Sequence, residues 1–288
     1  MTAPLTLFHI SDLHFGLEDR RALDWAQGAV AREQPAAVLI TGDLTMRARR
    51  REFAEACRWI RGLGPPVTVE PGNHDLPYFN LAERFAEPFS RFRAIQSLLE
   101  RPLDLGDLHV IPLQTVTRAQ WRFPWVDGWV RRQALQRCLG LIDALPKGSR
   151  VLVTAHHPLP ARGPKGQRLT INGERAMAEL ARRGVLAVLT GHVHDPFDLT
   201  AGTAEGPLRM IGAGTLSQRI RTTPPSFNEL IVTGREVQVK VRNLEALPTA
   251  AMQVPEVPPD ADPPCAQSRA QSSRPVARVA ASVSRPRA

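Results

Sequence analysis

The sequence predicts an α/β protein, and three observations lead to this class. Short runs rich in Val, Ile and Leu recur along the first two thirds of the chain, as buried strands of a parallel sheet do. Amphipathic stretches of helical length lie between several of these runs. Polar residues close most of the runs and mark where each strand ends. The strands are expected at 5–10, 36–41, 66–70, 108–113, 151–155 and 185–190.

Helices are expected where apolar residues recur at helical spacing. Trp25 and Ala29 share one face of the first candidate, and Phe53 and Ile60 share one face of the second. An alternation of strands and helices is typical of a sheet with parallel strands. The helices are expected at 19–33, 47–61, 79–99, 131–144 and 173–183.

A different pattern follows residue 195, where short extended segments predict an antiparallel region. From residue 246 the composition shifts to Pro, Ala, Ser and Arg without periodicity, which is typical of disorder. We therefore expect one domain over 1–245 and a disordered tail over 246–288. The extended segments are expected at 196–201, 207–212, 216–221, 227–233 and 235–243.

The formal net charge of +9 on the 288 residues is unevenly distributed. Residues 264–288 contain five arginines and no acidic residue, so the rest of the chain carries only +4. Nearly all the cationic residues are arginines, a bias that reflects coding composition as readily as function. A nucleic-acid surface is therefore not expected.

Other features of the sequence bear on location. The three cysteines lie far apart and form no CxxC pair, so neither a disulfide framework nor a structural zinc site is expected. No apolar run reaches the length of a membrane span. The opening MTAPLTLFHIS lacks the basic start and the cleavage site of a signal peptide. A cytoplasmic location without membrane contact is the resulting expectation.

Side chains that can bind metal ions follow five of the predicted strands. Functional crevices of open α/β sheets lie beyond the carboxyl ends of the strands, so these side chains are expected to converge. The two-residue spacing within DLH and HVH points both ligands to the same side of an extended chain. Oxygen and imidazole ligands without thiolate suit Mn, Fe, Co or Zn in a catalytic site. The candidate ligands are Asp12, His14, Asp43, Asn73, His156, His192 and His194.

This ligand set is large enough for two ions and predicts hydrolysis of a phosphate ester. Asp43, alone at its strand end, is expected to bridge the ions, and a bridging hydroxide is expected to attack phosphorus. His74, beside Asn73, is expected to protonate the leaving oxygen or to steady the charge on phosphorus. The net positive charge of such a site attracts the monoanion of a phosphodiester.

Taken in order, DLH, GDL, GNHD, HHP and GHVH resemble the calcineurin-like metallophosphoesterase superfamily. The segment GAGTLSQRIRTTPPSFNELIV at 212–232 is similar to the end of the domain in bacterial relatives of class III cyclic-nucleotide phosphodiesterases. The resemblance implies a four-layer αββα sandwich, with two mixed β-sheets flanked by helices. The resemblance does not name a substrate, because hydrolases of several phosphodiesters share this core; a 3′,5′-cyclic nucleotide is the leading candidate.

The resemblance further implies how the ligands divide between two divalent or trivalent ions. Asp43 would bridge the ions, and His74 would be the acid or the phosphate-orienting residue. The first ion would be bound by Asp12, His14 and His194. The second would be bound by Asn73, His156 and His192.

Residues near the motifs are candidates for contact with the substrate. Arg219 and Arg221 in SQRIR suit phosphate oxygens, but they are equally well interpreted as solvated strand residues. His157, next to His156, is either an outer residue of the site, within reach of substrate, or solvent-facing. The segment WRFPWVDGW at 121–129 either covers the site, contacts a second subunit of a homodimer, or packs as an ordinary connection.

Several functions remain open at this level. The same site suits a phosphomonoester or another diester, such as a glycerophosphodiester or a nucleotide sugar. A metal-binding scaffold without catalysis is the alternative from a different class, although such scaffolds are expected to lose ligands. A DNA nuclease is a further alternative, and its cleavage would fall steeply as salt rises. The expected partner is otherwise a small phosphoester.

Overall fold

The computed structural model describes residues 4–119, 126–159 and 170–245. The tail expected at 246–288 and most of the tryptophan-rich segment lie outside the described residues, so both expectations stay untested. Within the described part of the chain, no helix is both long enough and apolar enough to cross a membrane.

The strands of the described residues form two sheets of five strands each. In chain order they are β1 (Leu5–Ile10), β2 (Ala37–Ile40), β3 (Val67–Val69), β4 (Leu108–Pro112), β5 (Arg150–Thr154), β6 (Ala187–Thr190), β7 (Phe197–Thr203), β8 (Gly206–Gly212), β9 (Ser226–Thr233) and β10 (Glu236–Asn243).

Both sheets are mixed. The first has the strand order β10-β9-β1-β2-β3, and the second has the order β4-β5-β6-β8-β7. In the first sheet β1, β2 and β3 are parallel, whereas β9 is antiparallel to both of its neighbours. In the second sheet β4, β5, β6 and β8 are parallel, and only β7 runs against its neighbour.

Helices cover the outer face of each sheet. Ala26 and Phe53 belong to one hydrophobic cluster with Phe8 of the first sheet, and Met177 clusters with Val188 of the second. The helices are α1 (Arg20–Glu33), α2 (Arg50–Arg61), α3 (Leu81–Ala86), α4 (Ser90–Leu99), α5 (Arg132–Asp143) and α6 (Gly173–Arg182).

A third hydrophobic cluster joins the inner faces of the two sheets. It contains Leu7 and Leu39 from the first sheet and Leu152 and Leu189 from the second. Because side chains alternate along a strand, Leu7 faces the other sheet while its neighbour Phe8 faces the helices. The layers are therefore helix, sheet, sheet and helix, which confirms the expected αββα sandwich.

Two expectations about single elements are wrong. The helix expected at 79–99 is divided into α3 and α4, because Pro88 between them lacks the N–H of a helix interior and its ring clashes with the preceding turn. The segment 216–221 is not a strand beyond an isolated bridge between Ser217 and Glu18. There the Ser217 hydroxyl accepts a hydrogen bond from the Arg219 amide at 3.2 Å, which competes with ladder pairing.

The region after residue 195 is also less uniform than expected. β7 pairs with β8 and β9 pairs with β10 in antiparallel fashion. However, β8 lies parallel to β6 and extends the parallel part of the second sheet. The connection through β7 returns the chain to the sheet in the same direction as β6, an arrangement that the alternation of side chains alone does not reveal.

One edge of the sandwich brings both sheets together through polar contacts. His156 Nδ1, beyond β5, donates to the Thr41 carbonyl beyond β2 at 2.8 Å. The His192 amide, beyond β6, donates to Asp12 Oδ2 beyond β1 at 2.8 Å. The carboxyl ends of parallel strands from both sheets therefore meet at this edge, where a crevice of an α/β fold is expected.

Candidate metal centre

All seven candidate metal ligands lie together at this edge, and all but His192 are buried. Each lies two to four residues beyond the end of a strand. Asp12 and His14 follow β1, Asp43 follows β2, and Asn73 begins a single 3₁₀ turn, Asn73–Asp75, after β3. The remaining three, from the second sheet, are His156, His192 and His194.

One group of donor atoms comes from four of these residues. His14 Nε2 lies 3.1 Å from His194 Nε2, and Asp12 Oδ1 lies 3.2 Å from the same His194 nitrogen. Asp43 Oδ2 lies 3.7 Å from His14 Nε2. One ligand atom from each of the four lies within 4.8 Å of the others.

A second group lies beside the first and is centred on an amide oxygen. Asn73 Oδ1 is 3.1 Å from His156 Nε2 and 3.1 Å from His192 Nδ1. Asp43 Oδ2 is 3.5 Å from His156 Nε2. The same carboxylate oxygen therefore lies near imidazole nitrogens of both groups.

The spacing of the donor atoms fits metal coordination. Ligand atoms about 2.0–2.1 Å from one tetrahedral ion lie roughly 3.3 Å from one another, close to the 3.1–3.7 Å observed here. Among the described residues, Asp12 Oδ1 and His14 Nδ1 are also buried without a hydrogen-bond partner. An unpaired buried carboxylate oxygen is costly without a cation, so the residues present fit the metal that the fold implies.

Hydrogen bonds behind the ligands hold their donor atoms inward. His156 donates from Nδ1 to the Thr41 carbonyl at 2.8 Å, and His194 donates from Nδ1 to the Arg219 carbonyl at 2.6 Å. In each ring this leaves Nε2 facing the other ligands. Such outer contacts fix the tautomer and the ring orientation of metal-binding histidines.

The backbone of the site is held in an uncommon conformation. Eight described residues other than glycine have positive φ, and five of them are candidate ligands. Non-glycine residues in this region cost about 1–3 kcal/mol each and persist only where the surroundings hold them. The five ligands are Asp12 (φ 56°), His14 (45°), Asp43 (54°), His192 (69°) and His194 (66°).

The two carboxylates among the candidate ligands, Asp12 and Asp43, are ionised at neutral pH. Burial alone would raise the pKa of Asp43, but the nearby His156 and His74 imidazoles hold it well below its usual range. For Asp12, burial is likewise overcome by the imidazoles of His194 and His14, and its pKa is also lowered. Ionised carboxylates are the form that binds cations.

His74 lies at the rim of the cluster and not within it. Its Nδ1 donates to the Met46 carbonyl at 2.8 Å, and its Nε2 lies 2.9 Å from Arg219 Nη1. The ring meets the His14 ring edge to face, with centroids 4.9 Å apart. His74 thus lies one layer outside the metal-binding atoms, beside the cationic Arg219.

The other candidate substrate contacts differ in placement. Arg219 is partly buried and reaches the cluster, with Nη1 3.4 Å from His14 Nε2. Arg221 is exposed, and within the described residues it makes no hydrogen bond or ion pair with the candidate ligands. His157 is buried behind His156; its Nε2 donates to the Val126 carbonyl at 2.8 Å, and its Nδ1 lies 3.0 Å from Thr115 Oγ1.

Both ring nitrogens of His157 are therefore engaged within the protein. His157 can be grouped with His156 and His192 by the spacing of their ring nitrogens, but Asn73 Oδ1 lies 3.1 Å from a ring nitrogen of both His156 and His192. We therefore assign His157 to holding the connection at Val126.

Two buried carboxylates of the site were missed by sequence reasoning. Asp75 accepts hydrogen bonds from the amides of Leu44, Thr45 and Gly72 at 2.8–3.1 Å. Asp195 accepts from the amides and hydroxyls of the two threonines at 222 and 223. Asp75 directly follows the histidine of GNHD, and Asp195 directly follows the last histidine of HVHD. This position next to a motif histidine is the feature of the sequence that could have identified both acids.

Comparison with known proteins agrees with this geometry. The pattern of the calcineurin-like phosphoesterase family matches residues 5–196. A probable cyclic nucleotide phosphodiesterase of Pseudoalteromonas sp. (strain SM9913) is 27% identical over 210 residues, covering 68% of this chain and 73% of that protein.

Among solved structures, a purple acid phosphatase from yellow lupin (Lupinus luteus) seeds superposes with a TM-score of 0.59 at 12% identity. The match covers 84% of this chain and only 52% of the phosphatase, so the chain spans about half the length of that protein. A structure of PhoD gives a TM-score of 0.56 at 10% identity, covering 84% of this chain and 69% of that one. These likenesses show the fold, and the match over residues 5–196 shows that the chain belongs to the calcineurin-like phosphoesterase family, a family of phosphoester hydrolases.

Proposed function

We propose that this chain hydrolyses a phosphodiester with the help of two metal ions, each Mn, Fe, Zn or Co. The observation that carries the proposal is the position of Asp43 Oδ2, 3.7 Å from His14 Nε2 and 3.5 Å from His156 Nε2. A single carboxylate oxygen between two groups of donors is the arrangement that a bridging ligand requires.

The two groups of donors divide the ligands as follows. Asp43 would serve both ions. Asp12, His14 and His194 would hold one ion, and Asn73, His156 and His192 would hold the other. When bound, such ions supply an activated water and offset the negative charge of the phosphoryl group.

The residues around the ligands prepare the site for a phosphoester. Arg219 places its guanidinium beside His14 and His74, where it can donate to a phosphoryl oxygen. His74 holds that guanidinium through Nε2 while the Met46 carbonyl holds His74. Burial of the ligands keeps the polar contacts in a low-dielectric environment, where they orient an anion more strongly than they would in water.

We propose a 3′,5′-cyclic nucleotide as the specific substrate. Support comes from the relative in Pseudoalteromonas, a probable cyclic nucleotide phosphodiesterase at 27% identity. The segment at 212–232 that resembles class III cyclic-nucleotide phosphodiesterases supplies Arg219 to the rim of the site. A phosphomonoester or another diester uses the same machinery. The scaffold alternative is disfavoured because every ligand position is filled by a metal-binding side chain.

The test is hydrolysis by the Mn²⁺-loaded protein of bis(p-nitrophenyl) phosphate, p-nitrophenyl phosphate and 3′,5′-cyclic AMP. We expect both diesters to be cleaved, and Asp43→Ala to abolish cleavage together with metal binding. Asp24→Ala, on the exposed face of α1, is the matched control and should behave as the unmodified chain does. Cleavage of the monoester alone would replace the diesterase with a monoesterase. Two bound ions without cleavage of any ester would favour the scaffold.

A further inference from the structure

An exposed pair of aromatic side chains stands beside the candidate metal centre. Tyr78 and Phe79 follow the 3₁₀ turn that carries His74, and their ring centroids are 6.4 Å apart. We propose that this pair, here called the aromatic platform, stacks against the base of a nucleotide substrate. The inference rests on the proposed function, and it adds a binding site for the organic part of the ester.

The platform adjoins His74 and Arg219, the part of the site where the phosphate of a substrate is proposed to lie. The Tyr78 ring stacks on the His74 ring, with centroids 5.8 Å apart and planes at 29°. His74 also contacts two residues of the site. Its Nε2 lies 2.9 Å from Arg219 Nη1, and its ring centroid lies 4.9 Å from that of His14. A ligand whose phosphate lies at Arg219 therefore has the platform next to its organic group.

Arg84 holds the platform in place. It is buried, with 5% of its surface exposed, and it donates to the Pro77 carbonyl at 3.1 Å and the Arg118 carbonyl at 2.7 Å. Its guanidinium carbon lies 5.8 Å from the centroid of the Tyr78 ring. The backbone before Tyr78 and the ring itself are thus ordered before a ligand arrives, which lowers the entropy cost of binding.

The exposure of the platform is not explained by packing. Phe79 is 78% exposed and Tyr78 is 41% exposed, whereas Phe8, Phe15 and Phe227 are fully buried in the core. Leu81 and Phe85 nearby are 56% and 45% exposed. A cluster of exposed apolar side chains at the rim of a polar site is typical of a ligand-binding surface.

A nucleobase is the occupant that fits both parts of this surface. Bases stack on aromatic side chains because every base has a flat π face, whereas a glycerol group has none. A nucleotide also carries its phosphate and its base in one small molecule, and the His74 ring joins Arg219 to the Tyr78 ring of the platform. A glycerophosphodiester would leave the platform uncovered.

Calorimetric binding to the Mn²⁺-loaded full chain tests the platform without depending on turnover. We expect 5′-AMP to bind more tightly than ribose 5-phosphate, which lacks only the base. Phe79→Ala should weaken the binding of 5′-AMP on the order of 5- to 100-fold, the range for loss of one stacked base, and leave ribose 5-phosphate unchanged. Phe79→Trp should keep the preference. Leu98→Ala, 65% exposed on α4, is the control and should alter neither affinity.

Other results would overturn the platform. Equal affinity for the two ligands, or equal losses for both in Phe79→Ala, would remove the base-binding role. If Phe79→Ala instead dissociates a dimer in sedimentation and leaves the preference intact, the platform is a contact between two copies of the chain. Hydrolysis of bis(p-nitrophenyl) phosphate is measured in parallel. If it persists while 5′-AMP shows no preference, the platform fails and the phosphoesterase stands.

Discussion

Arg219 Nη1 donates a hydrogen bond to His74 Nε2 at 2.9 Å. Because the Nδ1 of the same ring donates to the Met46 carbonyl, Nε2 is the acceptor and carries no proton. Burial holds the pKa of His74 below its usual value, although the charge of Asp43 opposes the shift, and this favours the neutral form. Of the two roles expected for His74, orientation of charge at phosphorus agrees with this arrangement better than donation of a proton.

If His74 acts by holding Arg219, the two residues should act as a unit. We expect His74→Ala and Arg219→Ala each to lower kcat/KM for a phosphodiester by about 10- to 1,000-fold. The double variant should lose less than the sum of the two effects, with a coupling of about 0.5–3 kcal/mol. Steady-state kinetics of a double-mutant cycle measures this, and Arg221→Ala serves as the exposed comparison with a smaller effect. Additive losses would mean that His74 and Arg219 contribute independently.

Bound metal should stabilise the fold through Asp43. An ion that binds only the folded chain stabilises it by about 2.7 kcal/mol at one hundred times its Kd. We therefore expect Mn²⁺ to raise the Tm and a chelator to reverse the rise. Asp43→Asn should abolish most of the rise, because the amide supplies no negative charge to a site whose carboxylates are ionised. Asp24→Asn should keep it. Scanning calorimetry measures the change in Tm, and metal analysis measures the number of bound ions. If Asp43→Asn binds two ions and shows the full rise in Tm, Asp43 does not bridge the ions.

Gly72 leaves room for Asp43. A Cβ atom at this position would lie 2.0 Å from Asp43 Oδ1 and 2.1 Å from Asp43 N. We expect Gly72→Ala to lower the free energy of unfolding by about 1–3 kcal/mol and to weaken metal binding as the carboxylate shifts. Gly140→Ala in α5, where nothing lies within 4 Å of the added Cβ, is the matched control and should be neutral or stabilising. Unchanged metal affinity in Gly72→Ala would show that the carboxylate can move without loss.

The positions of the ligands could be predicted from the sequence because each follows a strand whose apolar run is visible. Parallel strands then bring their carboxyl ends together, and this physical rule needs no knowledge of distant contacts. Asp75 and Asp195 could not be assigned in this way, since their partners at Leu44 and Thr222 lie about thirty positions away in the chain. The division of the helix at Pro88, by contrast, follows from the local sequence, because proline cannot occupy a helix interior without loss of a hydrogen bond.

The left-handed backbone of the ligands shows another limit. Nothing in DLH or HVH signals a positive φ, because Asp and His take this conformation only when their surroundings compensate its cost. At Asp12 the surroundings include a hydrogen bond from the His192 amide of the other sheet, and at Asp43 one from the His74 amide after the neighbouring strand. The candidate ligands of these motifs therefore come together through a local geometry other than the extended one that their spacing predicts.

Glu70 should make the fold less stable as the pH rises. Burial raises its pKa from 4.5 to about 8, although a hydrogen bond from Thr154 opposes the shift. Between these values the unfolded chain releases the proton and the folded chain keeps it, so raising the pH favours unfolding by up to about 1.4 kcal/mol per pH unit. Glu70→Gln should remove this slope and be the more stable protein at pH 8. Chemical denaturation from pH 5 to pH 8 measures the free energy of unfolding, with the exposed Glu205→Gln as the control. If the unmodified chain and Glu70→Gln lose stability in parallel, Glu70 ionises freely in the folded protein.

His9 should act in the opposite direction at acid pH. It lies fully buried in β1, with Nε2 3.0 Å from Thr41 Oγ1 and Nδ1 3.3 Å from Asn228 Nδ2. Burial lowers its pKa from 6.5 to about 3, although the charge of Asp12 opposes the shift. Between these values the unfolded chain binds a proton that the folded chain does not, so stability is complete above pH 6.5 and falls toward pH 3. His9→Gln keeps polar partners for Thr41 but does not titrate, and its stability should fall less steeply on acidification. His109→Gln, a change at a partly exposed position, should lose stability on acidification as the unmodified chain does. An equal loss of stability in the unmodified chain and both variants would assign the acid sensitivity to other groups.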